Sequence, residues 1–173
     1  MRITKTGLGL ALVVAGVMAG MNGAAAQQNL LADRKVMTSF AARKMAEACM
    51  EYAARLKIDV SLAVVDPAGN LLAFLAAEGA TETSILTAQL KAKTAARWRR
   101  PTAELFERVN KQINRAPEFV GDFPQAGGFP LFINGELVGA VGAGGCGGGT
   151  MDDDCARHAI HTVFGAAVAP ARP

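Results

Sequence analysis

VSLAVVDPAGNLLAFL, residues 60–75, consists of two apolar runs on either side of a turn. Val60 to Val65 is rich in β-branched residues, and Leu71 to Leu75 resumes the apolar character after Asp66-Pro67-Ala68-Gly69-Asn70. Proline presets a turn dihedral, glycine supplies a positive φ, and Asp and Asn side chains bond nearby backbone amides. A link this short leaves no room for a crossover, so the two strands pair antiparallel. Their nearly unbroken apolar character predicts burial on both faces. The pattern returns further on, where Leu131 to Ile133 and Glu136 to Val141 flank Asn134-Gly135, the strongest short hairpin signal in the chain.

Around the hairpins the apolar period changes to three and four. Met37 to Lys57 reads as an amphipathic helix, with Phe40, Ala41, Met45, Ala48, Cys49, Tyr52 and Leu56 on one stripe and Arg43, Lys44, Glu47, Glu51 and Arg55 elsewhere. Thr81 or Thr83 is placed to cap a second helix running to about Trp98, its apolar positions being Ile85, Leu86, Leu90 and Ala95. Pro101 interrupts it, and Thr102 is placed to cap a third helix through Asn114. Residues 116–130, with three prolines and three glycines, read as a loop, and a last helix runs from about Met151 to Val168. Two hairpins without strand–helix–strand crossovers predict an α+β fold: an α-β-α sandwich with a central antiparallel sheet covered by helices.

The amino terminus sets the compartment. Arg2 and Lys5 precede an uncharged apolar run from Gly7 to Met21, and Ala24-Ala25-Ala26 forms a small-residue cleavage site. Residues 1–26 therefore read as a signal peptide, the run being too short and too rich in glycine for the roughly 20 apolar residues of a spanning helix. Residues 27–173 are then expected as one exported domain, periplasmic or secreted, with no membrane span after cleavage. Loss of Arg2 and Lys5 takes the formal charge from +3 to +1. That balance gives no basis for a nucleic-acid partner, and Arg97, Arg99 and Arg100 are too short a basic run to supply one.

Gly142-Ala143-Gly144-Gly145-Cys146-Gly147 satisfies G-x-G-x-x-G between a strand and a helix, but no nucleotide site is expected there. No second βαβ half follows, and Asp152, Asp153 and Asp154 occupy the first helical turn where a phosphate would sit. Cys155, His158 and His161, three apart on one helix, sweep roughly 120° of its surface and do not converge on zinc. No metal site is expected. In an exported protein Cys146 and Cys155 are expected to form a disulfide pinning the loop to its helix, with Cys49 left as the odd thiol in the first helix. The alternative is that the glycines serve only close backbone packing.

VVDPAGNLL (64–72), AQLKAKTAA (88–96), RPTAEL (100–105), GGFPL (127–131), VGAVG (138–142) and a small-residue loop followed by Asp154 together resemble the GlcG/HbpS-like family, which includes the carboxy-terminal domain of PduO-type proteins. The resemblance covers about residues 37–168. It implies an α-β-α sandwich assembled as a homo-oligomer. Some members bind haem, and an exported member works in haem or iron handling and redox sensing. Where many members carry Arg-Met-Asp-Gly-Ala after the second strand, this chain has Leu75 to Ala80, with Glu78 near the usual Asp. Its first helix also lacks the histidine that some members use as an axial iron ligand.

By that resemblance the chain is expected to bind haem or a related planar carboxylate ligand. Lys91 is expected to pair with a ligand carboxylate, Thr94 to offer a hydroxyl, and the Gly127-Gly128-Phe129-Pro130 loop to bring Phe129 into stacking contact. Met45, Cys49, Met50 and Tyr52 are the sulfur and phenol groups on the first helix. Two other readings compete. One is an enzyme on a small organic acid or aldehyde, with Lys91 as base or Schiff-base former and Asp154 or Glu78 as its partner. The other is an accessory subunit of an exported oxidoreductase.

Overall fold

The computed structural model describes residues 32–147 and 149–165. Contacts divide the chain into two units, Met1–Arg34 and Lys35–Pro173, and the helices and strands of the described residues belong to the second. The signal-peptide segment, residues 1–26, lies outside the described residues. The elements are α1 (Ser39–Leu56), β1 (Ser61–Val65), β2 (Leu71–Ala76), α2 (Glu82–Trp98), α3 (Thr102–Asn110), α4 (Ala116–Phe119), β3 (Gly128–Ile133), β4 (Glu136–Gly144) and α5 (Thr150–Phe164).

Both hairpins form, and they join through their inner strands into one antiparallel sheet of order β2-β1-β4-β3. Asp66 builds the first turn as its composition predicts. Its carboxylate accepts from the amides of Ala68 and Asn70 and from the Asn70 side chain. In the second turn Asn134 and Gly135 both take positive φ, as a two-residue hairpin requires.

Side chains alternate across the sheet with period two and separate two cores. Leu62, Val64, Leu131, Val141 and Ala143 pack with Met45, Ala46, Cys49 and Ala53 of α1 and with Cys155, Ala156 and Ala159 of α5. Ala63, Val65 and Ala140 face the opposite side, against Ala88, Ala92, Ala95 and Ala96 of α2. The result is an α-β-α sandwich, with α1 and α5 on one face and α2 on the other. Gly142 and Gly144 of β4 lie on the α2 side, and a Cβ at Gly142 would collide with the backbone of Ala88 and Ala92. These glycines let a sheet and an alanine-faced helix meet backbone to backbone.

Several sequence expectations are corrected. β1 is buried throughout, but β2 is an edge strand with Leu71 and Leu75 exposed, because nothing pairs beyond it in the sheet. Thr81 caps α2 through the amide of Ser84. Leu86, read as apolar core, is exposed, and alanines do the packing. Thr102 does not cap α3. It is the first helical residue, preceded by Pro101, and its hydroxyl accepts from the Gly128 amide instead. The helix ends at Asn110, and the expected loop contains α4, with Pro117 buried. Pro130 is accommodated because β3 is the other edge of the sheet.

Candidate functional site

The residues singled out in α2 and at Gly127 meet at one end of the sheet, where β3 begins and β4 runs into α5. Lys91 falls on the buried alanine stripe of α2 and is 3% exposed. Its ammonium donates to a carboxylate oxygen of Asp152 at 2.7 Å and to the carbonyl of Ala143 at 2.9 Å. Asp152, 1% exposed in the first turn of α5, accepts from the Cys146 amide with its other oxygen at 3.0 Å. Asp153 accepts from the Gly127 amide. Gly127 has φ +118°, and a Cβ there would stand 2.6 Å from the Ala143 carbonyl and 3.0 Å from the Lys91 ammonium. Only a residue without a side chain closes over this ion pair.

Among the protein's own groups Lys91 is paired with Asp152, not with Asp154 or Glu78. Asp154 is exposed, and Glu78 is exposed in a cleft lined by α1 and the end of β2. The missed signal is Lys91 itself: a charge at a buried helical position needs an opposite charge, and the Asp run is the nearest acidic supply to this sheet end. Burial pushes the Asp153 carboxyl above its usual range against the Gly127 amide. Burial, followed by the charge and hydrogen bond of Asp152, pushes the Cys146 thiol up to about 12.

Thr94 and Phe129 flank this cluster with different partners. The Thr94 hydroxyl accepts from the Phe123 amide at 2.9 Å and donates to Asp122 at 3.3 Å. Asp122, whose side chain is almost wholly buried, also accepts from Arg97 at 2.7 Å and from the Trp98 indole at 2.6 Å. Asp122 was not singled out by sequence, being one acid in a Pro- and Gly-rich loop. Gly128 is tied at both its amide and its carbonyl to the Thr102 hydroxyl. Phe129 is nearly buried, and the exposed guanidinium of Arg157 lies 4.4 Å over its ring. Pro130 is buried in β3. Lys91, Gly127 and Gly128 are thus brought together, while Thr94 and Phe129 serve neighbouring contacts.

The cysteines pair differently from expectation. Cys155 is bonded to Cys49, with Cα atoms 5.2 Å apart, and Cys146 is a free, buried thiol. The reason is the helix face. Cys155 points from α5 into the core against α1, where Cys49 sits on the buried stripe, whereas Cys146 lies in the loop before α5, its amide bonded to Asp152. Above the disulfide the two helices carry a second contact. Tyr52 of α1 stacks on His158 of α5 with ring centroids 4.8 Å apart, and Arg55 lies beside both. Met45 is fully buried and Met50 lines the cleft with Glu78. Among the described residues no three His, Cys, Asp or Glu side chains converge as a metal-holding group, and no helix is long and apolar enough to cross a membrane.

Three comparisons bear on this geometry. A protein described as uncharacterised, 15.0 kDa, from the dhaT–dhaS intergenic region of Citrobacter freundii is 33% identical over 125 residues, covering 68% of this chain and 84% of that protein. Protein GlcG of Escherichia coli strain K12 is 35% identical over 95 residues, 53% of this chain and 69% of its own. A double mutant of HbpS from Streptomyces reticuli superposes with a TM-score of 0.72 at 34% identity, over 77% of this chain and 90% of that one. The family model described as "Haem degrading protein HbpS-like" matches residues 37–161, from the start of α1 almost to the end of α5. This chain belongs to the HbpS-like family.

Proposed function

We propose that the protein is an exported haem-binding protein that works in haem or iron handling or in redox sensing. The observation that carries the reading is membership of a family described by haem chemistry, matched over residues 37–161. Export is supported by the pattern of residues 1–26 and by the Cys49–Cys155 disulfide, since such bonds persist in oxidising compartments.

Haem asks a protein for an iron donor, a cation for its propionates and apolar surface beside them. On the α1–α5 face His158 and Arg55 are already turned to each other, with Thr162 on the same imidazole nitrogen, so no iron donor is assigned there. Bound haem would supply an iron centre for redox chemistry. At the sheet end Lys91 and Thr94 already spend their polar atoms internally, so in this reading they frame the fold around the Gly127–Pro130 segment. The Schiff-base reading has no comparable support, because Lys91 is buried and paired with Asp152 in place of Asp154 or Glu78.

Trp98 is the sole tryptophan, and its fluorescence gives a direct test. Adding hemin to residues 27–173 is expected to quench it saturably, at one equivalent per chain. Linear, unsaturable quenching contradicts the reading. Sequencing of protein from its native host is expected to begin at Gln27, and an intact Met1 form in the cytosol contradicts export.

A further inference from the structure

We infer that the segment from Arg97 to Val120 seats the protein on an anionic lipid surface; the inference does not use the haem reading. Phe106, Ile113, Phe119 and Val120 are all exposed, Phe119 by 77%. In α3 the buried positions are Thr102 and Leu105, and Phe106 lies outside them. Ile113 stands seven residues, or about two turns, beyond Phe106 on the same side. The chain holds its turn past the helix end, because the Ile113 amide donates to the Arg108 carbonyl at 2.9 Å. In α4 Pro117 is the buried residue, which leaves Phe119 and Val120 outward, and α4 packs against α3.

Cations are interleaved with these apolar tips. Arg97 donates to the Val120 carbonyl at 3.1 Å, and the Arg115 guanidinium lies 6.0 Å from the Phe119 ring centre. Arg99 and Arg108 make no ion pair among the described residues. Lys111 and Arg115 pair only with glutamates on their own turns, exposed contacts that a phosphate can displace at little cost. Residues 97–120 hold six basic and three acidic side chains, a formal charge of +3. The rest of residues 27–173 hold ten basic and twelve acidic, a charge of −2. The positive charge is thus a property of this face and not of the whole protein.

That charge selects the occupant. A two-fold contact between copies sets the same patch against itself, so +3 would meet +3. Phe119, standing clear of the protein, suits a medium that closes around a side chain, as the acyl chains of a bilayer do. Aromatic and aliphatic tips then enter the headgroup–acyl boundary while guanidiniums stay at the phosphates. Among the described residues no helix is long and apolar enough to cross a membrane, so the association is peripheral.

Cosedimentation of residues 27–173, which hold every helix and strand of the described residues, with lipid vesicles tests this. Phosphatidylcholine vesicles containing about 30% phosphatidylglycerol are expected to carry the protein down, and pure phosphatidylcholine vesicles are not. Binding should fall as salt rises from about 0.05 to about 0.5 M. Phe119→Ala should weaken it about tenfold or more, the effect of withholding one phenylalanine side chain from the apolar layer, and Phe119→Leu should retain it. Arg99→Gln and Arg108→Gln should each weaken it about fivefold, the share of one cation at an anionic surface. Phe40→Ala, which removes a comparably exposed ring from α1, is the control and should change nothing. Absence of binding to the anionic vesicles overturns the proposal. So does binding that Phe119→Ala leaves intact, or that Phe40→Ala reduces as much. If Phe119→Ala lowers the mass seen by light scattering without vesicles, the face joins two copies and the proposal falls.

Discussion

An ammonium ion taken out of water costs several kcal/mol unless a charge and hydrogen bonds meet it, and buried Lys91 is met by both. Its partner Asp152 ties α2 to the first turn of α5, and the Ala143 carbonyl ties both to β4. Lys91→Ala leaves a carboxylate buried and unpaired, and we expect a loss of about 3–5 kcal/mol in urea unfolding. A loss under about 1 kcal/mol, the range of exposed pairs, would contradict this account. Cys146 adds a pH dependence. Its folded pKa is raised from 9.0 to about 12, mainly by burial, so the folded state keeps a proton that the unfolded chain releases. The associated stability is fully present below about pH 9 and is lost as pH rises from there toward 12. Unfolding curves across that window should fall more steeply for wild type than for Cys146→Ala, and parallel curves refute the assignment.

At the scale of elements, the disulfide is the strongest single tie between α1 and α5. It spans 106 residues, and closing a loop of about that length removes roughly 4.7 kcal/mol of chain entropy from the unfolded state. Cys155→Ser is expected to lower stability by about 3–5 kcal/mol. Peptide mapping without reduction should recover the Cys49 and Cys155 peptides joined, and a Cys146–Cys155 peptide would refute the pairing. Sequence showed both hairpins because turn residues act locally: Asp66 and Asn134-Gly135 write their conformation into the adjacent backbone. It showed α1 and α2 through their period and the Thr81 cap. The disulfide was illegible, because Cys49 and Cys155 meet only after two helices dock on the same sheet face. The partner of Lys91 was hidden for the same reason, although the lysine's place among alanines announced that a partner must exist. β2 misled because an apolar run reads alike in a central strand and at an edge.

For the whole molecule, that edge is the feature that points outward. Leu71 and Leu75 on β2 and Leu86 on α2 are exposed, and a long apolar edge strand is a liability unless something covers it. We expect a homo-oligomer, seen as a mass of at least two chains by light scattering at micromolar concentration; a monomer there removes the expectation. The proposal that this chain binds haem rests on the family match over residues 37–161. The most direct measurement is a difference-spectrum titration of residues 27–173 with hemin against a protein-free reference. The account predicts a Soret band shifted from that of free hemin, growing linearly and then breaking sharply at one haem per chain. A titration that reproduces the spectrum of free hemin at every ratio would contradict it.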